Sequence, residues 1–81
     1  MINKQSLRNL IIEALQANNG SATIVPICKY VWDNYESQLK ESGALFYTWQ
    51  YDIRWAADAL RRDGKLKPAY VSPKGIWELS S

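Results

Sequence analysis

Between Thr48 and Gly64 the apolar residues Trp49, Ile53, Ala56, Ala57 and Leu60 recur every three to four positions. At about 100° per residue they fall on one side of a helix. Tyr51, Arg54, Trp55, Asp58 and Arg62 fall on the other side, with Arg61 at its margin. Thr48 is placed to cap the start of this helix, with Asp52 toward the positive end of the dipole. Arg61 and Arg62 stand toward the negative end, and Gly64 is a fitting terminator. A stripe of this kind has to be buried, and the chain has 81 residues in which to do it. That length predicts a single domain over residues 1–81, in which only roughly 60% of the unfolded surface is hidden. The four Trp and five Tyr matter accordingly, because each can bury about 150–250 Å².

Two further segments supply the other side of that core. From Gln5 to Ala17, Leu7, Leu10, Ile11, Ala14 and Leu15 form one apolar stripe, and Asn18-Asn19-Gly20 is a good stop. Ser21-Ala22-Thr23 is too short for an independent strand, but it can pair with the edge of a later hairpin. Thr23 can cap the helix that follows, whose first turn accommodates Pro26. Ile24, Ile27, Cys28, Val31, Trp32 and Tyr35 keep the helical period. Beyond Glu36 the pattern weakens, which predicts a frayed end and a long connection up to Tyr47. The tail alternates: Leu66 opens one strand, and Ile76 to Leu79 form another in which Trp77 and Leu79 share a face. Pro68 and Pro73 cannot donate to a central ladder, so the hairpin is expected to be short and at an edge.

The chain has no histidine, which removes imidazole-activated nucleophiles, His-ligated zinc and a near-neutral base. Its one cysteine, Cys28, allows no intramolecular disulfide or thiolate cluster and reads as core filler. With no phosphate loop, dinucleotide fingerprint or calcium loop, no cofactor, metal or enzymatic activity is expected. The start of the chain lacks a small-residue cleavage site and no apolar run is long enough to span a bilayer, so the expectation is a cytoplasmic protein without membrane contact.

Three helices followed by a hairpin is the order of a winged helix-turn-helix, a mainly α fold whose third helix can enter a major groove. The charge is uneven in a way that suits it. From Arg54 to Lys74 there are six cations, Arg54, Arg61, Arg62, Lys65, Lys67 and Lys74, against Asp58 and Asp63, whereas the net charge of the whole chain is only +2. Phosphate contact and solvated surface are both open readings for these cations taken singly, and Arg54 and Asp58 are spaced to pair with each other. Trp55 has three roles open to it: packing beneath the hairpin, forming a protein interface, or lying on a sugar–phosphate surface. Burial is favoured in so small a domain. Tyr70, at the hairpin tip, reads as exposed; Trp32, Trp49 and Trp77 read as core.

The run Ile53-Arg54-Trp55-Ala56, then Leu60, Gly64 and Leu66, closing with Ser72-Pro73-Lys74-Gly75-Ile76-Trp77-Glu78-Leu79, resembles the N-terminal domain of Mrr-type restriction proteins. The resemblance is specific from about Trp49 to Leu79 and general before that. It implies a winged helix that recognises DNA and is usually attached to a nuclease. The interval from Leu66 to Ser72 is longer here, implying a reshaped wing. No nuclease residues lie among these 81, so cleavage is not implied. On the matching positions the resemblance implies groove contact by Arg54, backbone contacts by Arg61, Arg62 and Lys74, and a positioning role for Trp55.

The function expected is therefore a small protein binding double-stranded DNA, a regulator or recognition module, with Tyr51, Arg54, Trp55, Arg61, Arg62, Lys65, Lys67, Tyr70 and Lys74 as candidate contacts. One copy offers a small footprint, so specificity would call for a homodimer or a partner protein. The competing expectation is a module that docks or dimerises on the same scaffold. The near-balanced charge of the third helix and the exposed Tyr51/Trp55 pair favour that rival.

Overall fold

The computed structural model describes residues 2–80 as three helices and a two-stranded antiparallel sheet. The order is α1 (Ser6–Ala17), β1 (Ser21–Thr23), α2 (Ile24–Lys40), α3 (Leu45–Arg62) and β2 (Ile76–Glu78). The core lies where the three helices meet. Leu7, Leu10, Ile11, Ala14 and Leu15 enter it from α1, Ile27, Val31 and Leu39 from α2, and Trp49, Ile53, Ala56, Ala57 and Leu60 from α3. Leu66 and Trp77 close it from the tail.

The first helix is anchored before it begins. The Asn3 backbone N–H donates to Ser6 Oγ (3.2 Å) and the Ser6 N–H donates to Asn3 Oδ1 (3.0 Å), a reciprocal pair that ties down the turn carrying Lys4 and Gln5. At the other end Asn18 Nδ2 donates to the Ala14 carbonyl (2.8 Å), and Asn19 turns the chain at φ 63°.

Glu13 clamps α1 to α2. Its Oε2 accepts from the hydroxyls of both Tyr30 (2.9 Å) and Tyr35 (2.7 Å). Tyr35 itself leaves helical geometry (φ −132°, ψ 21°), putting a kink in α2. Beside the kink Asn34 Nδ2 donates to the Tyr30 carbonyl (2.8 Å), a side-chain bond of the kind that competes for a helix acceptor. Beyond the kink α2 runs on to Lys40 and buries Leu39 completely. The expected frayed end is therefore helix, and the connection to α3 is only four residues. Thr23 occupies the capping position of α2 without a side-chain bond to it.

Helix α3 starts at Leu45, one turn earlier than Thr48. Leu45 is buried and Phe46 packs against Trp32, so tertiary contacts extend the helix beyond its apparent cap. Thr48 instead donates its hydroxyl to Asp52 Oδ2 (2.7 Å), and Asp52 is 8% exposed. The end of α3 is as expected. Gly64 takes φ 78°, and the Lys65 N–H reaches back to the Leu60 carbonyl (2.9 Å) in a left-handed cap that a Cβ would strain.

The tail corrects one expected pairing and bears out another. β2 pairs with β1, in the register Ser21↔Glu78, Ala22↔Trp77 and Thr23↔Ile76. The Leu66 strand is reduced to a single bridge with Leu79, supported by the Lys67 N–H donating to the Glu78 carbonyl (2.9 Å). Pro68, with no N–H to donate, follows at once, and the 67–75 segment leaves the sheet as a long loop. Among the described residues no helix is long and apolar enough to cross a membrane.

Ile53, fully buried at the centre of α3, should lose about 2–5 kcal/mol of stability on replacement by Ala. Val25→Ala, on an exposed side chain, should stay within about 0.5 kcal/mol; paired denaturant titrations check both. The Glu13 hydrogen bonds, then burial and the Glu13 charge, raise the phenol pKa values of Tyr30 and Tyr35 above 10.0. A raised pKa favours the folded state while the phenols are protonated. That contribution is complete below the unfolded phenol pKa and is lost as pH rises through the folded one. Tyrosinate absorbance should show two late-titrating phenols that move down in Glu13→Gln, with the variant's stability less sensitive to alkali.

Candidate nucleic-acid interface

The outer face of α3 is a consequence of its inner one. With Trp49, Ile53, Ala56, Ala57 and Leu60 turned inward, Tyr47, Tyr51, Arg54, Trp55, Asp58 and Arg62 are exposed, and Arg61 is half-buried at the margin. Tyr51 and Trp55, one helical turn apart, are 62% and 57% exposed and touch edge to face, ring centroids 6.3 Å apart at 63°. The burial favoured for Trp55 is not found. Trp77 of β2 fills the space against α3 at 8% exposure, and Trp55 stands outside it. Trp49 is core as well, while Trp32 is only partly buried, stacked against the Trp49 ring (6.4 Å, 7°) with the Lys40 ammonium 5.9 Å from its own.

This aromatic ridge has a depression on either side. Toward the sheet, Tyr51, Arg54, Trp55, Asp58, Arg61 and Trp77 line one. Toward α1, Tyr51, Trp55 and Arg62 face Lys4, Gln5 and Arg8 across a floor of Asp52, Ala56 and Ala59. The two together hold five cations, Lys4, Arg8, Arg54, Arg61 and Arg62, and two carboxylates, Asp52 and Asp58. That excess of three exceeds the net +2 of the whole chain, so the rest of the surface is slightly acidic.

Counter-charge is scarce on this face. The expected Arg54–Asp58 pair does not form; Asp58 instead approaches Arg61 Nη1 at 3.9 Å, a loose contact that leaves Arg61 Nε buried without a partner. Among the described residues Lys4, Arg8, Arg54 and Arg62 make no ion pair. Elsewhere Lys29 pairs with Asp33 and Lys40 with Glu36, both at 2.6 Å, while Lys65 and Lys74 also make no ion pair among the described residues.

The remaining candidates do not join the ridge as a group. Lys67 pairs with Glu78 (3.6 Å), which offsets its charge. Lys65 faces a separate depression with Ile12, Gln16, Leu79 and Ser80. Tyr70 (90% exposed) and Lys74 project from the 67–75 loop. Lys4 and Arg8 are not among the contacts expected from the sequence, because they lie far from α3 along the chain. Two cations four residues apart where the chain enters its first helix are the signal that could have found them.

Cys28 is half-buried rather than core, in an apolar depression with Ile24, Val25, Trp32, Trp49 and Arg54. Burial raises its thiol pKa, partly opposed by the nearby Arg54 charge. No group of three or more His, Cys, Asp or Glu able to hold a metal occurs among the described residues.

No protein-family model, curated protein or solved structure matches this chain. The exposure of Trp55 is directly measurable. Of the four Trp it should be the one most accessible to a collisional quencher, and Trp55→Phe should remove most of the quenchable fluorescence while leaving the melting transition within a few degrees of the parent.

Proposed function

We propose that this protein binds double-stranded DNA through the outer face of α3, as a small regulator or recognition module. In this reading the three helices and the sheet are a winged helix-turn-helix, with α3 the recognition helix and the 67–75 loop the wing. The observation that carries it is the Tyr51/Trp55 ridge with an excess of cations over carboxylates on both flanks. A major groove about 12 Å wide admits a helix, and a ridge entering it brings the flanking cations toward the phosphates on either side. Tyr51 and Trp55 then lie against sugar and base edges, and Arg54 reaches into the groove. The resemblance to the N-terminal domain of Mrr-type restriction proteins supports the same assignment through Arg54, Trp55 and the Ser72-Pro73 strand entry.

A second reading has its own observation. Tyr47, Tyr51 and Trp55 follow one another at every fourth position and all are exposed, the composition of a protein-docking face. In that case the ridge would bury against a second copy or a partner protein.

Anisotropy titrations of a labelled duplex over a series of salt concentrations separate the two. Arg54, Arg61 and Arg62 alone should give log affinity against log salt a slope of about −2.7, steepening by about 0.9 for each further phosphate contact. Arg62→Glu should weaken binding to all sequences alike. No binding at low salt rejects the proposal; a concentration-dependent dimer that Trp55→Ala renders monomeric without altering DNA binding would support the docking reading instead.

A further inference from the structure

We propose that the start of α1 and the turn leading into it are the second wall of this interface, and that Lys4 and Arg8 hold a phosphodiester chain on the side of the aromatic ridge away from the sheet. The inference rests on the nucleic-acid reading above and adds to it a contact segment outside the α3-and-wing region.

Three observations carry it. Lys4 and Arg8 face Arg62 across an open depression of about 420 Å³, with Tyr51 and Trp55 along its edge. None of these three cations has a carboxylate partner among the described residues. The one acid of that depression, Asp52, is buried and accepts the Thr48 hydroxyl. Three cations against one carboxylate leave this depression a net charge of +2, and like charges held together in a cleft focus a positive potential that suits a polyanion. The floor is small: alanine side chains leave room for a backbone to approach. The depression is open, so it fits a chain passing through it better than an enclosed small ligand.

The turn is also prepared for the contact. The reciprocal Asn3–Ser6 bonds fix the backbone on both sides of Lys4, and Arg8 lies on the helix they start. Binding therefore has to order side chains and not the segment that carries them, which lowers its entropic cost. On a duplex, this wall meets the phosphates of one strand while Arg61, on the sheet side of the ridge, meets those of the other.

The test compares two doubly substituted proteins of equal charge change by anisotropy with a labelled duplex, across a salt series. In Lys4→Gln/Arg8→Gln the slope of log affinity against log salt should become shallower by about 1.8, two phosphates at roughly 0.9 each. Lys29→Gln/Lys40→Gln, which removes two carboxylate-paired cations from α2, should leave the slope within about 0.3 of the parent. All four positions are exposed, and thermal melts confirm that both proteins fold. If the parent binds and Lys4→Gln/Arg8→Gln changes its slope no more than Lys29→Gln/Lys40→Gln does, the α1 wall is overturned and the α3 reading stands. If the parent binds no duplex at low salt, both are overturned together.

Discussion

Trp49, Ile53, Ala57 and Leu60 on the inner face of α3 lie against apolar side chains of α1 and α2, with Leu66 and Trp77 closing the same core from the tail. Removing that surface from water supplies the dominant favourable term in so short a chain. It also has a geometric consequence. At 3.6 residues per turn, a helix that commits Trp49, Ile53 and Leu60 to the interior has no choice about Tyr51, Arg54, Trp55, Asp58 and Arg62. The exposed aromatic ridge and its cations are the complement of the core.

The sheet is a fastening whose strength comes from outside itself. Three paired residues would be marginal in isolation. They persist because Trp77, opposite Ala22, is buried against α3, and because Leu66 and Leu79 pack beside it. Trp77 enters the core from the strand, whereas Trp55 lies on the face of α3 opposite Trp49, Ile53 and Leu60 and lines the depression beside Trp77 from outside. The aromatic left outside then gives the outer face its character.

Much of the fold was legible in the chain. The α1 and α3 stripes, the Gly64 terminator and the pairing of Ser21–Thr23 with the tail all follow from local rules of period, capping and edge chemistry. What was misread shares one cause. The early start of α3 at Leu45 and the continuation of α2 to Lys40 depend on contacts between elements: Leu45 and Leu39 buried in the common core, Phe46 packed on Trp32. Local propensity at Thr48 and Ser42-Gly43 pointed the other way and was overridden. The candidate interface divides similarly. Tyr51, Arg54, Arg61 and Arg62 were identifiable because they share a helix. Lys65 and Lys67 were grouped with them by proximity in sequence, whereas Glu78 neutralises the second and the first faces another depression.

The amino-acid order alone determined which side of each helix is apolar, where α1 and α3 end, and that a cationic excess lies late in the chain, because these depend on spacing along one segment. Only the tertiary structure decided that Lys4 and Arg8 stand across from Arg62, that Tyr30 and Tyr35 converge on Glu13, and that Glu78 pairs with Lys67. Those outcomes depend on how close segments distant in sequence come to one another, and such distances exist only once the core has closed.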